Sequence, residues 1–224
     1  MSLDTSFGKV RFFEDFLGDA GNADNYTATT DGGGAAAINE QSNGVFRLSV
    51  DTDDNDISNL FFVNIWKCTQ QNLVMEWRIK TVTSVADGET FVGVTDDDGT
   101  DENPITLSTT DVATTNTSNG AGFCYTGAGT ANWKFVTVKA DADGAITACN
   151  KGGISTPVVG TFQTFKVVFN EDGDADAYIN GIWQVTNTSA VTTTTLLAAG
   201  LACQSGGTAR SVDADYVYIE AGRI

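Results

Sequence analysis

The feature that most constrains this chain is the alternation of apolar and polar residues over short runs, with little helical periodicity. Runs rich in Thr, Val, Phe and Tyr are separated by clusters of Gly, Asn and Asp, which is typical of β-strands joined by turns. In the run Phe165–Phe169, for example, Phe165, Val167 and Phe169 fall on one face. No stretch indicates a helix of ten residues or more. The pattern predicts an all-β protein.

Thirteen short strands are predicted, and strands of this number and length define an antiparallel β-sandwich. No change of composition, Pro-rich linker or internal repeat divides the chain, so we expect one domain over residues 1–224. The predicted strands are Val10–Phe16, Gly44–Val50, Ile57–Trp66, Leu73–Val82, Thr90–Thr95, Gly122–Tyr125, Trp133–Lys139, Ala145–Cys149, Phe165–Asn170, Asp174–Ile179, Ile182–Thr186, Leu196–Ala202 and Ala214–Glu220.

Two of the connections are predicted in detail. Asn180–Gly181 favours the type I′ turn of a tight hairpin. The segment Asp141–Gly144 predicts a second hairpin, in which Gly144 supplies a positive φ. We expect binding to reside in the long polar loops, because loops on a rigid scaffold commonly carry function. These loops are Ala20–Gly34, Asp96–Asn103 and Thr109–Gly120.

The charge and the absence of histidine restrict the possible functions. The chain has 12 Lys and Arg against 29 Asp and Glu, giving a net charge of −17, and its cations are scattered singly. Nucleic acids and anionic membranes are therefore excluded as expected partners. The sequence contains no His, which excludes Ser-His-Asp and Cys-His catalysis as well as His-ligated metals. Paired carboxylates, a Lys base or a carboxylate-bound cation remain possible.

The cysteines indicate a reducing environment. Cys68, Cys124, Cys149 and Cys203 are far apart and form no Cys-x-x-Cys pair, so we expect small buried thiols rather than a metal site or a disulfide framework. The N-terminal sequence has no apolar run that would serve as a signal peptide. We therefore expect synthesis in a cytoplasm without export.

Four segments resemble the concanavalin A-like (laminin-G-like) jelly roll. The segment Phe165–Gln184 is similar to the late hairpin of that family, and Phe91–Asp96 is similar to its central strand. Phe13–Leu17 and Asp213–Ile219 resemble the first and last strands, which commonly lie together in one sheet of such jelly rolls. The resemblance implies a concanavalin A-like β-sandwich.

The first and last segments together resemble a narrower group, the structural proteins of tailed bacteriophages. This resemblance implies a non-enzymatic virion protein, specifically a capsid decoration protein that binds the major capsid protein or other virion proteins. We expect it to be made in the host cytoplasm, to reside in the virion and to form a homo-oligomer on the particle. The alternative is a tail- or fibre-associated module that binds glycans, and a glycoside hydrolase is a further alternative.

Glycoside hydrolysis requires two carboxyl groups at a fixed separation. The jelly-roll glucanases that the chain resembles place them on one strand as Glu-x-Asp-x-x-Glu, a pattern that is absent here. Glu14 and Asp15 are adjacent and therefore point to opposite faces, while Glu171–Asp172 lies in a turn. Asp174 and Asp176 share a face, but they are interpreted as a solvated outer surface. We therefore predict no catalytic residue and no enzyme.

Two acidic segments are candidate cation sites. Asp51–Asp56 begins like an EF-hand loop, but Asp56 replaces the required Gly and Phe62 replaces the bidentate Glu. The denser segment Asp96–Glu102 would offer Asp96, Asp98 and Asp101 to a cation, although a solvated acidic loop is the commoner arrangement. We therefore predict no metal site and no cofactor.

The tryptophans are the candidates for stacking a sugar ring. Trp77 and Trp133 lie in apolar strands, so we expect them in the core. Trp183 follows a tight turn and Trp66 ends a strand, so either one is a candidate exposed residue. An exposed tryptophan is equally suited to a protein–protein interface and to stacking against a sugar ring.

Overall fold

Two large antiparallel β-sheets form the protein. The computed structural model describes residues 8–18, 24–39, 44–83, 85–97, 102–127, 132–153 and 156–223. Within these ranges no helix is long and apolar enough to cross a membrane. The strands are β1 (Lys9–Glu14), β2 (Tyr26–Asp31), β3 (Ala35–Asn39), β4 (Val45–Val50), β5 (Asp54–Phe62), β6 (Leu73–Thr81), β7 (Gly88–Thr95), β8 (Ile105–Leu107), β9 (Ala113–Thr115), β10 (Asn119–Thr126), β11 (Lys134–Lys139), β12 (Ala142–Ala148), β13 (Phe162–Phe169), β14 (Ala175–Ile179), β15 (Ile182–Asn187), β16 (Ala198–Gly206) and β17 (Arg210–Gly222), with one 3₁₀ turn at Lys151–Gly153.

The two sheets have the order of a jelly roll. Sheet A runs β15-β14-β13-β6-β17-β4-β3, with β1 also paired to β17. Sheet B runs β12-β11-β10-β7-β16-β5-β2, so β7 lies at its centre. A separate hairpin is formed by β8 and β9. The predicted all-β sandwich is confirmed.

The segments that carry the family resemblance occupy the expected places. Strand β7 contains most of Phe91–Asp96 and is the central strand of sheet B. Strands β1 and β17 pair antiparallel, with Phe13 opposite Tyr218. The first and last strands therefore lie together in sheet A, as the resemblance implies.

The core lies between the two sheets. On β13, Phe165, Val167 and Phe169 are all buried, which confirms the predicted inner face. The Phe165 ring packs 4.6 Å from Trp133 and 5.1 Å from Phe123, measured between ring centroids, and joins the sheets. Edge-to-face pairs of this kind add to the free energy of burial.

All thirteen predicted strands are present, with their ends shifted by a few residues, but four further strands were not predicted. Strands β2, β3, β8 and β9 lie in segments where the pattern predicted no strand, and β2 lies within the predicted loop Ala20–Gly34. Strand β2 is an edge strand of sheet B, and β3 is an edge strand of sheet A. Edge strands contact one neighbour only, so they need less apolar sequence than central strands.

The two predicted turns have different outcomes. Asn180 and Gly181 have φ values of 50° and 76°, which confirms the tight hairpin. At the second hairpin the turn residues are Ala140 and Asp141, with φ values of 50° and 63°, so the assignment of the turn to Gly144 was wrong. Gly144 instead lies in β12 against Thr137, where a Cβ atom would come within 2.3 Å of the Thr137 Oγ1 atom. Its role is close packing at the β11–β12 bulge.

Candidate functional site

The outer face of sheet B is covered by the β8–β9 hairpin. Ile105, Leu107 and Ala113 of the hairpin are buried. They pack on an apolar cluster of the sheet, formed by Phe91, Cys124, Val136, Val138 and Ala202. Part of the segment predicted as the polar loop Thr109–Gly120 therefore becomes a strand that adds a second, smaller core.

Polar contacts fix the base of this hairpin. The Asn116 backbone N–H donates to the Pro104 carbonyl at 3.0 Å, and the Asn116 side chain donates to the Asn103 carbonyl at 3.0 Å. Lys134 on β11 forms an ion pair with Asp111 at the hairpin's tip. The two hydrogen bonds close the base of the hairpin, and the ion pair ties its tip to sheet B.

Asp96 has a structural role in the same region. Its Oδ1 atom accepts hydrogen bonds from the backbone N–H groups of Ser118 and Asn119 at 3.1 and 2.9 Å, and its Oδ2 atom accepts one from the Asn119 side chain at 3.1 Å. The carboxylate therefore ties the end of β7 to the start of β10. Asp98 and Asp101, the other two candidate cation ligands, lie outside the described residues.

The Asp51–Asp56 segment forms a close acidic cluster. One carboxylate oxygen from each of Asp51, Asp53 and Asp56 lies within 4.8 Å of the others. Asp56 is buried and accepts a hydrogen bond from the Gly33 N–H at 2.7 Å, which lowers its pKa. Hydrogen bonding to Asp51, burial and the neighbouring carboxylates outweigh this effect and raise the pKa of Asp56 above its ordinary value. The pKa of Asp51 is lowered, chiefly by the hydrogen bond from the Asp53 N–H, so the two carboxyl groups are shifted in opposite directions.

A polar pocket opens beside the hairpin at one end of sheet B. Its centre is Glu89 on β7, which lies directly opposite Gln204 on β16 and Thr126 on β10. The pocket has a volume of about 140 Å³. Its lining consists of Asp54, Asn55, Asp87, Gly88, Glu89, Thr126, Gln204, Ser205 and Gly206.

Burial dominates the chemistry of Glu89. It raises the pKa of the carboxyl group to about 7, against the opposing effects of the Leu107 N–H and the Arg210 charge. The Glu89 Oε2 atom and the Gln204 Oε1 atom are buried without a hydrogen-bond partner among the described residues. The pocket therefore contains a carboxyl group that is partly protonated at neutral pH and that has unused hydrogen-bonding capacity.

Carboxylates from separate elements meet at this pocket. Glu89 belongs to β7, Asp54 to β5, and Asp87 precedes β7. Along β7 the next residues on the face of Glu89 are Phe91 and Gly93, so a search for acidic residues along one strand does not detect the site. The predicted strand begins at Thr90 and therefore omits Glu89, although extending the alternation by one residue places Glu89 on the face of Phe91.

The other candidate residues lie away from the pocket. Trp77 and Trp133 are buried as predicted, and Trp66 is buried as well. Trp183 is 45% exposed on the outer face of sheet A, with the Lys151 Nζ atom 3.3 Å from its ring centroid. Asp176, also on sheet A, accepts a hydrogen bond from Thr186.

The remaining acidic candidates lie at or next to the ends of strands. Asp174 accepts a hydrogen bond from the Ser189 N–H at 2.7 Å. Glu14 accepts one from the Phe16 N–H at 3.0 Å, and Asp15 accepts one from the Leu17 N–H at 3.4 Å. Each of these carboxylates stabilises its local chain, and none of them belongs to the Glu89 pocket.

Comparison with solved structures places the fold among concanavalin A-like jelly rolls. The β-glucanase of Bacillus licheniformis superposes with a TM-score of 0.64 at 14% identity, covering 93% of this chain and 97% of that chain. The carbohydrate recognition domain of Emp47p superposes with a TM-score of 0.61 at 10% identity, covering 98% and 97%. A family 16 glycoside hydrolase of Bacteroides ovatus, solved with a product, gives 0.61 at 10% identity, covering 93% and 99%. No protein-family model and no curated protein sequence matches the chain.

These similarities define the class and correct one prediction. The protein has the concanavalin A-like jelly-roll fold, a fold used by carbohydrate-binding domains and by glycoside hydrolases. The prediction that the chain is not an enzyme is contradicted, because several of the structures with this fold are glycoside hydrolases. The prediction relied on the absence of His and of the Glu-x-Asp-x-x-Glu pattern. At these identities the similarity shows the fold alone.

Proposed function

We propose that this chain is an accessory structural protein of a tailed-bacteriophage virion that binds the assembled capsid shell. The observation that supports it most is the covering of sheet B by the β8–β9 hairpin. The Glu89 pocket, at about 140 Å³, is below the roughly 300–1,000 Å³ of typical ligand sites. A protein that packs its own hairpin over one sheet face is suited to act through its outer surface.

An exposed apolar patch at one side of the sandwich provides a docking surface for the shell. We call Val63, Ile65 and Leu196 the side patch; they are 43%, 55% and 47% exposed. Next to it is an apolar groove of about 60 Å³, whose lining includes Phe12 and Trp66. Burial of such side chains against shell subunits would supply about 25 cal/mol per Å² of apolar area.

The proposal includes the site of assembly. The chain would be made in the host cytoplasm and added to the shell there, and its partners would be the major capsid protein or other virion proteins. A net charge of −17 would keep free copies apart before docking. The resemblance of the first and last strands to tailed-phage proteins supports this assignment.

The first test is quantitative mass spectrometry of purified particles. One copy per shell subunit, or a simple fraction of that ratio, is the expected result. A few copies per particle would move the protein to the tail or neck, and absence from particles would overturn the virion assignment.

The second test measures docking directly, using purified chain and particles that lack it. Ile65→Asp places a charge in the side patch and is expected to weaken binding at least tenfold. Val112→Asp is the matched control, because Val112 is 60% exposed on the hairpin over the other sheet face. If both variants bind the particles equally well, the side patch is not the docking surface. The assignment of the protein to the virion would then be decided by the mass spectrometry.

The Glu89 pocket supports a second candidate function, binding of the end of a glycan. Carbonyl and carboxyl oxygens without partners, such as Gln204 Oε1 and Glu89 Oε2, would accept hydrogen bonds from sugar hydroxyl groups. The volume suits a single terminal sugar rather than a long chain. A tail or fibre location would fit this function.

Glycan binding is tested by an array screen followed by sugar-dependent protection against thermal unfolding. Glu89→Gln is expected to reduce the protection, and the exposed turn variant Glu171→Gln serves as the control. Incubation with each bound glycan also tests hydrolysis: a protonated Glu89 would donate to the leaving oxygen, and Asp54 and Asp87 are the candidate second carboxylates. New reducing ends that disappear in Glu89→Gln would establish an enzyme. A screen without any binding glycan would remove this candidate.

A further inference from the structure

A single row of side chains crosses the outer face of sheet A. Each member lies directly opposite the next in the strand order β1-β17-β6-β13-β14-β15, so the row spans six neighbouring strands. With strands about 4.8 Å apart, its length is about 24 Å. In order, the row reads Phe13, Tyr218, Glu76, Lys166, Tyr178 and Trp183.

The two ends of the row are exposed and its centre carries opposite charges. Phe13 is 57% exposed and Trp183 is 45% exposed. At the centre, the Glu76 carboxylate accepts a hydrogen bond from the Tyr216 hydroxyl at 2.7 Å, and the Lys166 Nζ atom lies 4.6 Å from the Tyr178 ring centroid. Within the described part of the chain, neither Glu76 nor Lys166 forms an ion pair.

Read from either end, the row gives two aromatic residues followed by a charged residue. That charged residue is Glu76 from one end and Lys166 from the other. Two aromatic residues precede Glu76, and two aromatic residues follow Lys166. A two-fold axis that runs parallel to the strands and passes between β6 and β13 would relate two copies packed face to face. About this axis, each half of the row in one copy would face the other half of the row in the second copy. Surfaces that match themselves in this way are the requirement for an isologous dimer.

We propose that two copies of this chain associate face to face through the outer faces of sheet A about this axis. Glu76 of each copy would meet Lys166 of the other, so the dimer gains two ion pairs that the single chain lacks. Tyr218 would face Tyr178 of the second copy, and Phe13 would face Trp183. Aromatic anchors around a charged centre are typical of stable interfaces.

The distribution of charge favours this face over others. The strands of sheet A carry six cations and five carboxylates on this face, which gives these strand residues a net charge of +1 and leaves −18 for the rest of a chain whose total is −17. A face with almost no net charge repels a second copy less than the strongly negative remainder of the surface does. The residues counted are Lys9, Arg11, Arg47, Arg78, Lys80 and Lys166 against Glu76, Asp176, Asp213, Asp215 and Glu220.

The area of the face is sufficient for a stable dimer. The six strands of the row measure about 24 Å side by side, and an eight-residue strand such as β13 measures about 26 Å. The face therefore offers roughly 620 Å² per copy, or about 1,250 Å² in total, at the lower end of the ~1,200–2,000 Å² of standard interfaces. This inference is independent of the virion proposal; on a particle, a dimer would add the benefit of two docking patches.

Sedimentation velocity over a concentration series, from about 1 μM to about 200 μM, tests the dimer. The wild-type chain is expected to approach twice its monomer mass of 23.6 kDa. Lys166→Glu and Glu76→Lys each place like charges together twice per dimer and are expected to weaken association at least tenfold. Combining the two reversals restores the ion pairs, so the double variant is expected to regain most of the affinity.

The control is Lys139→Glu, which makes the same charge change on sheet B and should leave the dimer intact. Far-ultraviolet circular dichroism of every variant verifies folding. A wild-type chain that remains monomeric throughout the series would overturn the proposal. Single reversals that leave association unchanged, or a double variant that fails to recover, would overturn the face and the axis.

Discussion

Glu89 on β7 lies directly opposite Gln204 on β16, and each of these side chains keeps one buried oxygen without a hydrogen-bond partner among the described residues. The pair sits on the outer face of the central strands of sheet B, at the edge of the β8–β9 hairpin. Leaving two buried acceptors unsatisfied is unfavourable for the fold. Polar groups in this state commonly mark a site, which is why this pair defines the pocket.

The first prediction concerns Glu89→Gln and pH. Because burial raises the pKa of Glu89 from 4.5 to about 7, the folded protein holds a proton that the unfolded chain releases between these values. This group's contribution to stability is therefore complete below about pH 4.5 and is lost as the pH rises to 7. Gln does not titrate, so the variant does not lose stability over this range. At pH 8 its free energy of unfolding should exceed that of wild type by up to about 3 kcal/mol, and at pH 4.5 the two values should be equal.

Urea unfolding of wild type and variant across this pH range measures the difference. Glu171→Gln, in an exposed turn, is the control and should follow wild type at every pH. A Glu89→Gln effect of constant size across the range would contradict the prediction.

The second prediction concerns close packing at the centre of sheet B. Gly122 on β10 faces Gly93 on β7, and a Cβ atom on Gly122 would lie 2.5 Å from the Phe91 ring and 2.9 Å from the Val92 carbonyl oxygen. Gly122→Ala should therefore lower the free energy of unfolding by roughly 1–3 kcal/mol, as overpacking does elsewhere. Gly120→Ala, on the same face of β10 but 3.1 Å from a Thr117 methyl group, should cost less. Equal costs in urea unfolding would contradict this account.

The central strands could be predicted from the sequence because their own residues specify them. Strands such as β6 and β13 alternate buried and half-exposed residues without interruption, so the period of two is present in the sequence itself. Strand β2, with the sequence YTATTD, has only one buried residue. Strands β8 and β9 have three residues each. Their hairpin is held in place by packing on Phe91, and the local sequence contains no pattern that indicates this long-range contact.

The Glu89 pocket could not be predicted for a related reason. Its lining comes from β5, β7, β10 and β16, which are separated by long stretches of sequence. Each contributing residue, taken alone, is an ordinary polar residue at a strand end. The raised pKa of Glu89 depends on burial, and that burial exists only after the sheet and the hairpin have assembled.

The third prediction contrasts two buried charges. Arg210 is 1% exposed and donates one hydrogen bond, to the Thr90 hydroxyl at 3.2 Å, while its Nε and Nη1 atoms have no partner among the described residues. Because an unpaired buried charge is costly, Arg210→Met should leave stability within about 1 kcal/mol of wild type or increase it. Asp213 is fully buried but is paired with Arg47 at 2.6 Å and Lys80 at 3.2 Å.

Asp213→Asn is therefore the comparison, and it should cost about 3 kcal/mol because two cations lose their charged partner. Chemical denaturation of both variants at one pH gives the two values. A larger loss for Arg210→Met than for Asp213→Asn would show that the guanidinium has a stabilising partner after all.

The fourth prediction concerns the thiols. All four cysteines are free and buried, as the sequence predicted. Burial raises the pKa of Cys68 and Cys149 to about 12 and that of Cys203 to about 11, and it raises the pKa of Cys124 well above its ordinary value. Because the thiolate is the reactive form, the native protein should react slowly with a thiol reagent at pH 8. Denaturation without reductant should then release all four thiols. Rapid labelling of the native chain, or fewer than four thiols after denaturation, would contradict the buried, unbridged arrangement.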